Sequence, residues 1–326
     1  MNMKNSTIQN ESNLDKELSI IIPIYNEESH IQTTISYIDV FLTEQKISHK
    51  FILIDDGSGD DTWNQLVLLN KKLGNVHAVR LTRNFGKESA LCAGLDLVDT
   101  PVAVIMDCDL QHPPSLIPKM YRLWHEEGTE VVEGVKRSRG REGFFYHLSA
   151  SIFYRLIFRT SNIDIRDGSD FILLDQKVIK AWKLMPERTT FFRGMSAWVG
   201  FKREKIEFDV MKRVEGKSKW SPIRLIKLAI GAITSYTTIP LHFITIMGFL
   251  MFLAFLIIGV QTIYMKLSGQ ALNGFTTVIL LLLVIGSSVM ISLGIIGIYL
   301  SKIYHEVKNR PRYLIAESVK GGEKAC

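Results

Sequence analysis

Val102 to Gln111 reads VAVIMDCDLQ. Five consecutive apolar residues run into two carboxylates one residue apart, the pattern of a buried strand that delivers Asp107 and Asp109 to a sheet edge. Like carboxylates this close repel unless something neutralises them, so the pair calls for a cation. The carbonyl of Gln111, and His112 ahead of Pro113-Pro114, are further candidate ligands. The competing reading is a strand end whose acids merely cap the next helix.

The same design recurs upstream. Phe51 to Asp56 (FILIDD) is an apolar run closing on a carboxylate pair, followed by Gly57-Ser58-Gly59-Asp60-Asp61-Thr62, a turn rich in helix N-caps. Leu18 to Tyr25 (LSIIIPIY) ends at Asn26-Glu27-Glu28. Three strands then present polar residues at their carboxyl ends, where open α/β sheets bind ligands.

From Leu18 to about Val135 such strands alternate with helical patterns: Glu27 to Thr43, Asp60 to Leu73, Gly86 to Val98 and Pro113 to Glu127. Val76 to Leu81 and Val131 to Val135 complete the predicted strands. The fold class this implies is α/β, a doubly wound, mostly parallel sheet. No G-x-G-x-x-G follows the first strand, and the Gly-Lys pairs lack the upstream glycine of a P-loop, which disfavours dinucleotide-binding and NTPase readings.

Two clusters of cations follow strands. Arg83-Asn84-Phe85-Gly86-Lys87 opens a helix, where an anion such as a diphosphate is favoured; a solvated loop is the alternative. Lys136 to Arg141 packs four cations into one loop, suited to an anion or to solvent near a membrane. Asp170, followed by Phe171-Ile172-Leu173-Leu174, needs a partner in its apolar setting, and Arg193 is similarly flanked by bulky groups; a structural ion pair would explain either.

The chain has 326 residues, a net charge of +6 and three cysteines, too few and too badly spaced for a disulfide framework or a Cys-based zinc site. Its pI is near 9.1. Residues 1–17 are polar, read as a disordered lead-in without a secretory signal. Nine Lys or Arg residues lie between Lys202 and Lys227, and Pro222 to Thr238 suits an amphipathic helix in the membrane interface. Leu241 to Tyr264 and Phe275 to Leu300 contain no Asp, Glu, Lys or Arg and are long enough to cross a bilayer. Basic residues flank the pair on both sides, so both ends are expected in the cytoplasm. Spans without charge suit an anchor better than a channel.

Ile22-Pro23-Ile24-Tyr25-Asn26-Glu27-Glu28, Asp55-Asp56-Gly57-Ser58, Arg83 to Lys87, Asp107 to Pro114 and Lys308-Asn309-Arg310-Pro311-Arg312-Tyr313 together resemble the polyprenyl-phosphate glycosyltransferases. These are inverting enzymes of the GT-A fold, similar to dolichol-phosphate mannose synthase, and the two C-terminal spans resemble their bacterial undecaprenyl-phosphate glucosyltransferase branch. The resemblance implies that Pro23, Tyr25, Glu27 and Asp55, with Lys87 and Asp107, hold the nucleotide sugar. Asp107, Asp109 and Gln111 would surround Mg2+ or Mn2+. Arg137, Arg139, Arg141 and Lys219 would meet the lipid phosphate, and Asp109, Asp170, Arg137 and Arg193 form the implied catalytic set. Cys108, His112 and Ile172 depart from the pattern, where many relatives carry alanine, aspartate and arginine.

The expected organisation is a lead-in (1–17), a cytoplasmic catalytic domain (18–221), the interfacial helix (222–238), a membrane hairpin (239–301) and a cytoplasmic tail (302–326). The expected partners are a nucleotide sugar, a polyprenyl phosphate and the bilayer of a cell membrane, without nucleic acid; a homo-oligomer is left open. UDP-glucose is the first choice of donor, with UDP-N-acetylglucosamine and GDP-mannose as alternatives. A catalytically silent membrane scaffold is the competitor of another class. A processive glycan synthase is disfavoured, because the chain lacks Q-x-x-R-W and has too few spans.

Overall fold

The computed structural model describes residues 17–137, 169–185, 187, 192–209, 239–269, 274–321 and 323–325. Residues 1–16, Arg139, Arg141, the aromatic run Phe144 to Phe158, Lys219 and the expected interfacial segment Pro222 to Thr238 lie outside the described residues. Those described up to Asp209 and from Arg310 onward form one compact unit, and residues 239–309 belong to a second.

In the first unit β1 (Leu18–Ile24), α1 (Ile31–Glu44), β2 (His49–Asp55), α2 (Thr62–Leu73), β3 (Val76–Leu81), α3 (Lys87–Asp96) and β4 (Val102–Ile105) follow the expected alternation. A single 3-10 turn, Pro114–Leu116, leads into α4 (Ile117–Glu127) and β5 (Val131–Lys136). Then come β6 (Ile172–Asp175), α5 (Gln176–Lys183), α6 (Phe192–Trp198) and β7 (Arg203–Phe208). After the second unit the chain adds β8 (Ile315–Lys320) and β9 (Glu323–Ala325).

The sheet runs β7-β5-β6-β4-β1-β2-β3-β8-β9. β1, β2, β3 and β4 are mutually parallel. β6 is antiparallel to both β4 and β5, and β8 is antiparallel to β3. Antiparallel strands in both halves qualify the expected mostly parallel sheet.

Side chains alternate across the sheet, so Ile20 and Ile22 join one apolar layer with α1, α2 and α4, while Ile21 joins the other with α3 and α5. Burial on both faces is what the near-continuous apolar runs demanded. Gly94 lets α3 lie close over β1, since a Cβ there would meet Ile21 Cγ2 at 2.4 Å.

One consequence of this order positions the site. The carboxyl ends of β1, β2, β4 and β5 lie along one edge, and antiparallel β6 begins at that same edge. Asp170, just before β6, therefore reaches the edge where Asp107 and Asp109 leave β4.

The segment expected as a cytoplasmic tail contributes strands to this sheet. His77 to Leu81 pairs with Ile315 to Lys320, and Asn70 Nδ2 donates to Val319 O. Tyr313 donates its hydroxyl to Asp96 Oδ2 at 2.7 Å, and Arg312 donates to the carbonyls of Met185 and Glu187.

The second unit contains α7 (Ile239–Leu267) and α8 (Phe275–Val307). Their stretches Pro240–Leu267 and Leu281–Val307 have mean hydropathies of 2.7 and 2.5 and no buried residues in the apolar window. Helices that apolar would bury their side chains in a water-soluble core. At about 1.5 Å per residue either spans a hydrocarbon layer of roughly 30 Å.

Candidate active site

The loops after β1 and β2 are tied together by their polar side chains. The Asn26 N–H donates to Ser58 Oγ and the Glu27 N–H to Thr62 Oγ1, both at 2.9 Å. In return Gly59 and Asp61 donate their N–H groups to Asn26 Oδ1 and Glu28 Oε2. The hydroxyls of Ser58 and Thr62, expected as helix caps, thus serve the neighbouring loop. Asn26 adopts a φ of +54°, a left-handed turn that asparagine tolerates.

Asp56 braces the next loop, its two oxygens accepting from the N–H groups of Phe85 and Gly86 at 2.8 and 2.9 Å. Between them Gly57 has φ +67°, and a Cβ there would lie 2.4 Å from the Arg83 carbonyl carbon. Glycine is the residue that permits this approach.

The braced loop aims Lys87 at the acids. Its Nζ lies 2.6 Å from Asp107 Oδ1 and 2.7 Å from Asp170 Oδ2. Arg193 Nε donates to the other Asp170 oxygen at 2.7 Å. Burial alone would raise the Asp170 carboxyl, but Lys87 and Arg193 together hold it well below the usual carboxylate range. Burial likewise opposes the charge on Lys87, and the Asp107 and Asp170 carboxylates overcome it, raising the lysine above its ordinary value.

The cleft at this edge encloses about 350 Å³. Pro23, Tyr25, Glu27, Lys87, Asp107 and Asp109, all expected site residues, line it together with Asp56 and Asn84. Burial, then the charge of Asp109, raises the Glu27 carboxyl. Asp170 sits one ion pair behind Lys87, and Arg193 a second pair behind Asp170.

Other expected residues are placed differently. Asp55 is fully buried beside the cleft and does not line it, while Asp56 does. Gln111 donates its N–H to Asp109 Oδ1 at 3.0 Å and is also absent from the lining. Arg137, at the end of β5, pairs with Glu207 and Asp209 at 3.4 and 3.2 Å.

His112, a candidate ligand in the sequence, is instead a packing residue. It is buried, its ring stacks on Phe171 with centroids 5.1 Å apart, and its Nδ1 accepts the Asp107 N–H. Burial lowers its pKa and keeps the ring neutral enough for that role. Ile172, another of the three departures, is buried opposite Ile105, where an apolar side chain fits.

Among the described residues no group of three or more His, Cys, Asp or Glu is arranged to hold a metal. Asp107 and Asp109 nevertheless suit Mg2+ or Mn2+, because such an ion takes one or two carboxylates and completes its shell from phosphate and water. The Glu27 carboxyl, raised by burial and then by the charge of Asp109, lines the same cleft as this donor pair.

Two supports escaped sequence reading. Buried Glu133 on β5 accepts from the Ser169 N–H at 3.1 Å and from Arg203 at 2.9 Å, fixing the turn that carries Asp170. Glu88 accepts the Phe192 N–H at 2.6 Å and so holds the start of α6, which carries Arg193. The only signal for either was an acid within a strand or helix start, and their partners lie 36 to 104 residues away.

Residues 19–181 match the profile described as glycosyl transferase family 2. An uncharacterised glycosyltransferase of Synechocystis sp. is 37% identical over 92% of this chain and 95% of its own length. A prophage-derived bactoprenol glucosyl transferase of Shigella flexneri is 33% identical over 94% of this chain and 99% of its own. Among solved structures, mannosyl-3-phosphoglycerate synthase from Rubrobacter xylanophilus is similar with a TM-score of 0.48 and 12% identity, over 69% of this chain and 74% of that one. The chain belongs to glycosyl transferase family 2, and it is a GT-A glycosyltransferase.

Proposed function

We propose that this enzyme transfers glucose from UDP-glucose to a polyprenyl phosphate such as undecaprenyl phosphate, with inversion at the anomeric carbon. The observation that carries the reading is the convergence of Asp107, Asp109 and Lys87 in one cleft of a chain that continues into two membrane-length apolar helices. A full-length relative named for bactoprenol glucosyl transfer supports the choice of sugar and acceptor.

Pro23, Tyr25 and Glu27 line the part of the cleft assigned to the nucleotide. Asp107 and Asp109 would hold Mg2+ or Mn2+, which when bound supplies Lewis-acid neutralisation of the departing diphosphate. Lys87, at the start of α3, adds a fixed cation where that negative charge develops. Asp170 is held ionised and is therefore a poor proton acceptor; its role is to orient Lys87 and Arg193.

The acceptor phosphate, with a second pKa near ~6, is already largely ionised and needs no dedicated base. Its oxygen attacks the anomeric carbon directly, the bond to the UDP oxygen breaks, and an α-linked donor gives a β-linked lipid phosphate sugar. Arg137, whose exposed pairs with Glu207 and Asp209 are weak, is free to exchange them for a lipid phosphate.

The sheet takes strands from before Asp209 and from after Leu314, which supports a hairpin whose two spans return the chain to the side it left. Lys308, Arg310 and Arg312 after the second span favour the cytoplasm as that side.

The test is to reconstitute the full-length protein in membranes with undecaprenyl phosphate and offer UDP-glucose, UDP-N-acetylglucosamine and GDP-mannose separately. Lipid-linked sugar and free UDP should appear with UDP-glucose. Transfer from another donor would replace the sugar assignment, and no nucleotide release from any donor would favour the silent scaffold.

A further inference from the structure

The Lys308 to Tyr313 motif and the strand after it remain outside the chemistry above, yet they lead to the nucleotide end of the sheet. β8 lies on the open edge of β3 and brings Glu317 beside Arg80, with Oε1 3.4 Å from the guanidinium. Trp63, on α2, holds the other Glu317 oxygen through its indole N–H at 3.2 Å.

Arg80 faces three ways. Besides Glu317, one of its nitrogens donates to the Ser58 carbonyl at 3.1 Å, and its Nε lies 3.4 Å from Asp55 Oδ2. Asp55 Oδ1 accepts the Ser58 N–H, while buried Oδ2 has no hydrogen-bond partner among the described residues. An unsatisfied buried acceptor is costly, so Arg80 beside it joins the Ser58 N–H in holding the turn from Asp55 to Ser58, whose Oγ accepts the Asn26 N–H.

We propose that Glu317 is a positioning residue for donor binding: it fixes Arg80, and through Arg80 it fixes the Ser58 turn that braces Tyr25 and Glu27 at the cleft. The segment that follows the second span thereby completes the donor side of the active site. This rests on the reading of the Pro23, Tyr25 and Glu27 side of the cleft as the nucleotide site and on the glycosyltransferase function above.

The experiment measures UDP affinity by calorimetry, with Mg2+, on full-length protein in detergent, alongside steady-state kinetics in membranes. Glu317→Gln should weaken UDP binding by about fivefold, the upper end for a part-exposed pair. The donor KM should rise in parallel, with the turnover number at saturating donor, the acceptor KM and the melting temperature unchanged. Tyr313→Phe loosens the same segment at Asp96 and should leave UDP affinity within about twofold, which separates Glu317 from general loosening of the tail.

Glu27→Gln distinguishes the two levels of inference, since Glu27 lines the cleft. Weakened UDP binding in Glu27→Gln with none in Glu317→Gln overturns the positioning role alone. Unchanged UDP binding in Glu27→Gln overturns the nucleotide role of that side of the cleft and the proposal with it. Equal losses of UDP affinity in Glu317→Gln and Tyr313→Phe would mean that the tail acts only as a structural strand.

Discussion

The Lys87 ammonium lies 2.6 Å from Asp107 Oδ1, so the first turn of α3 is fastened to the end of β4 by an ion pair inside the cleft. The same ammonium reaches Asp170 from the start of β6. One cation therefore sets the spacing of two acids that the sequence holds 63 positions apart. Lys87→Met keeps the apolar stem and removes the charge. It should lower turnover by about a hundredfold or more, as loss of a preorganised charge at a developing anion does. Steady-state rates at saturating donor and acceptor test this, and a rate within threefold of the parent enzyme would remove Lys87 from the catalytic machinery.

Asp109 lines the cleft and has one oxygen committed to the Gln111 N–H. Asp109→Asn preserves that hydrogen bond and deletes the negative charge that a divalent ion requires. UDP binding should lose its dependence on Mg2+ or Mn2+ while the melting temperature stays close to that of the parent. Titrating UDP with and without the metal is the check. A variant that still bound UDP more tightly with metal would place the ion elsewhere.

Glu88 offers a prediction in pH. Burial raises its carboxyl from an ordinary value of 4.5 to about 7, partly offset by the Phe192 N–H it accepts. Between those values the folded protein binds more protons than the unfolded chain, so this group makes stability fall as pH rises from about 4.5 to about 7. The slope is bounded by ~1.4 kcal/mol per pH unit and is smaller for a half-buried group. Glu88→Gln keeps an acceptor for Phe192 and removes the slope. Melting curves at pH 5 and pH 8 should show the variant gaining on the parent at the higher pH; parallel behaviour would contradict the raised carboxyl.

What the sequence made legible were features carried by one contiguous stretch. Val102 to Ile105 and Phe51 to Asp55 announce themselves as buried strands, and the acids that end them fall at the expected sheet edge. The two long apolar helices were legible for the same reason, since apolar composition over a membrane's length needs no distant partner. Features made by remote pairs were hidden. β6 has four residues, and β8 reads only as a short polar segment whose partner β3 lies more than 230 positions upstream. Glu133 looked like an ordinary strand residue until Arg203 arrived on β7 to neutralise it. His112 misled because histidine beside two acids is the ligand pattern, whereas Phe171, the packing partner that decides its role, is 59 residues on.

Arg137 and its neighbours give a prediction about substrates separately. Arg137 is exposed, and its two acidic partners are exposed with it, so neutralising it should cost little stability. Replacing Arg137, Arg139 and Arg141 together by glutamine should raise the KM for the polyprenyl phosphate much more than that for the nucleotide sugar. A change confined to the donor constant would move this loop to the donor side.

The last prediction concerns removal of the membrane segment. A polyprenyl tail stays in the bilayer, because exposing its apolar surface costs about 25 cal/mol per Å². A chain ending at Val210 would therefore be expected to bind nucleotide and fail only with long acceptors, were the catalytic unit complete by that point. It is not complete, because β8 covers the edge of β3. Truncation unpairs the backbone of His77 to Leu81, exposes a strand edge open to other chains, and removes buried Val319, worth about 2 kcal/mol by itself. Trp63 and Arg80 lose Glu317 at the same time. The chain ending at Val210 should thus unfold at lower urea concentration and aggregate. A second chain, in which a Gly/Ser linker replaces residues 211–309 and residues 310–326 are retained, should recover the midpoint and bind UDP. With a short, water-soluble polyprenyl phosphate this second chain should also recover part of the transferase activity, while remaining poor with a long-chain lipid. Coincident urea midpoints for the two chains would show that β8 contributes nothing to the catalytic unit, and equal activity loss on short and long acceptors in the linked chain would show that the spans shape the site itself.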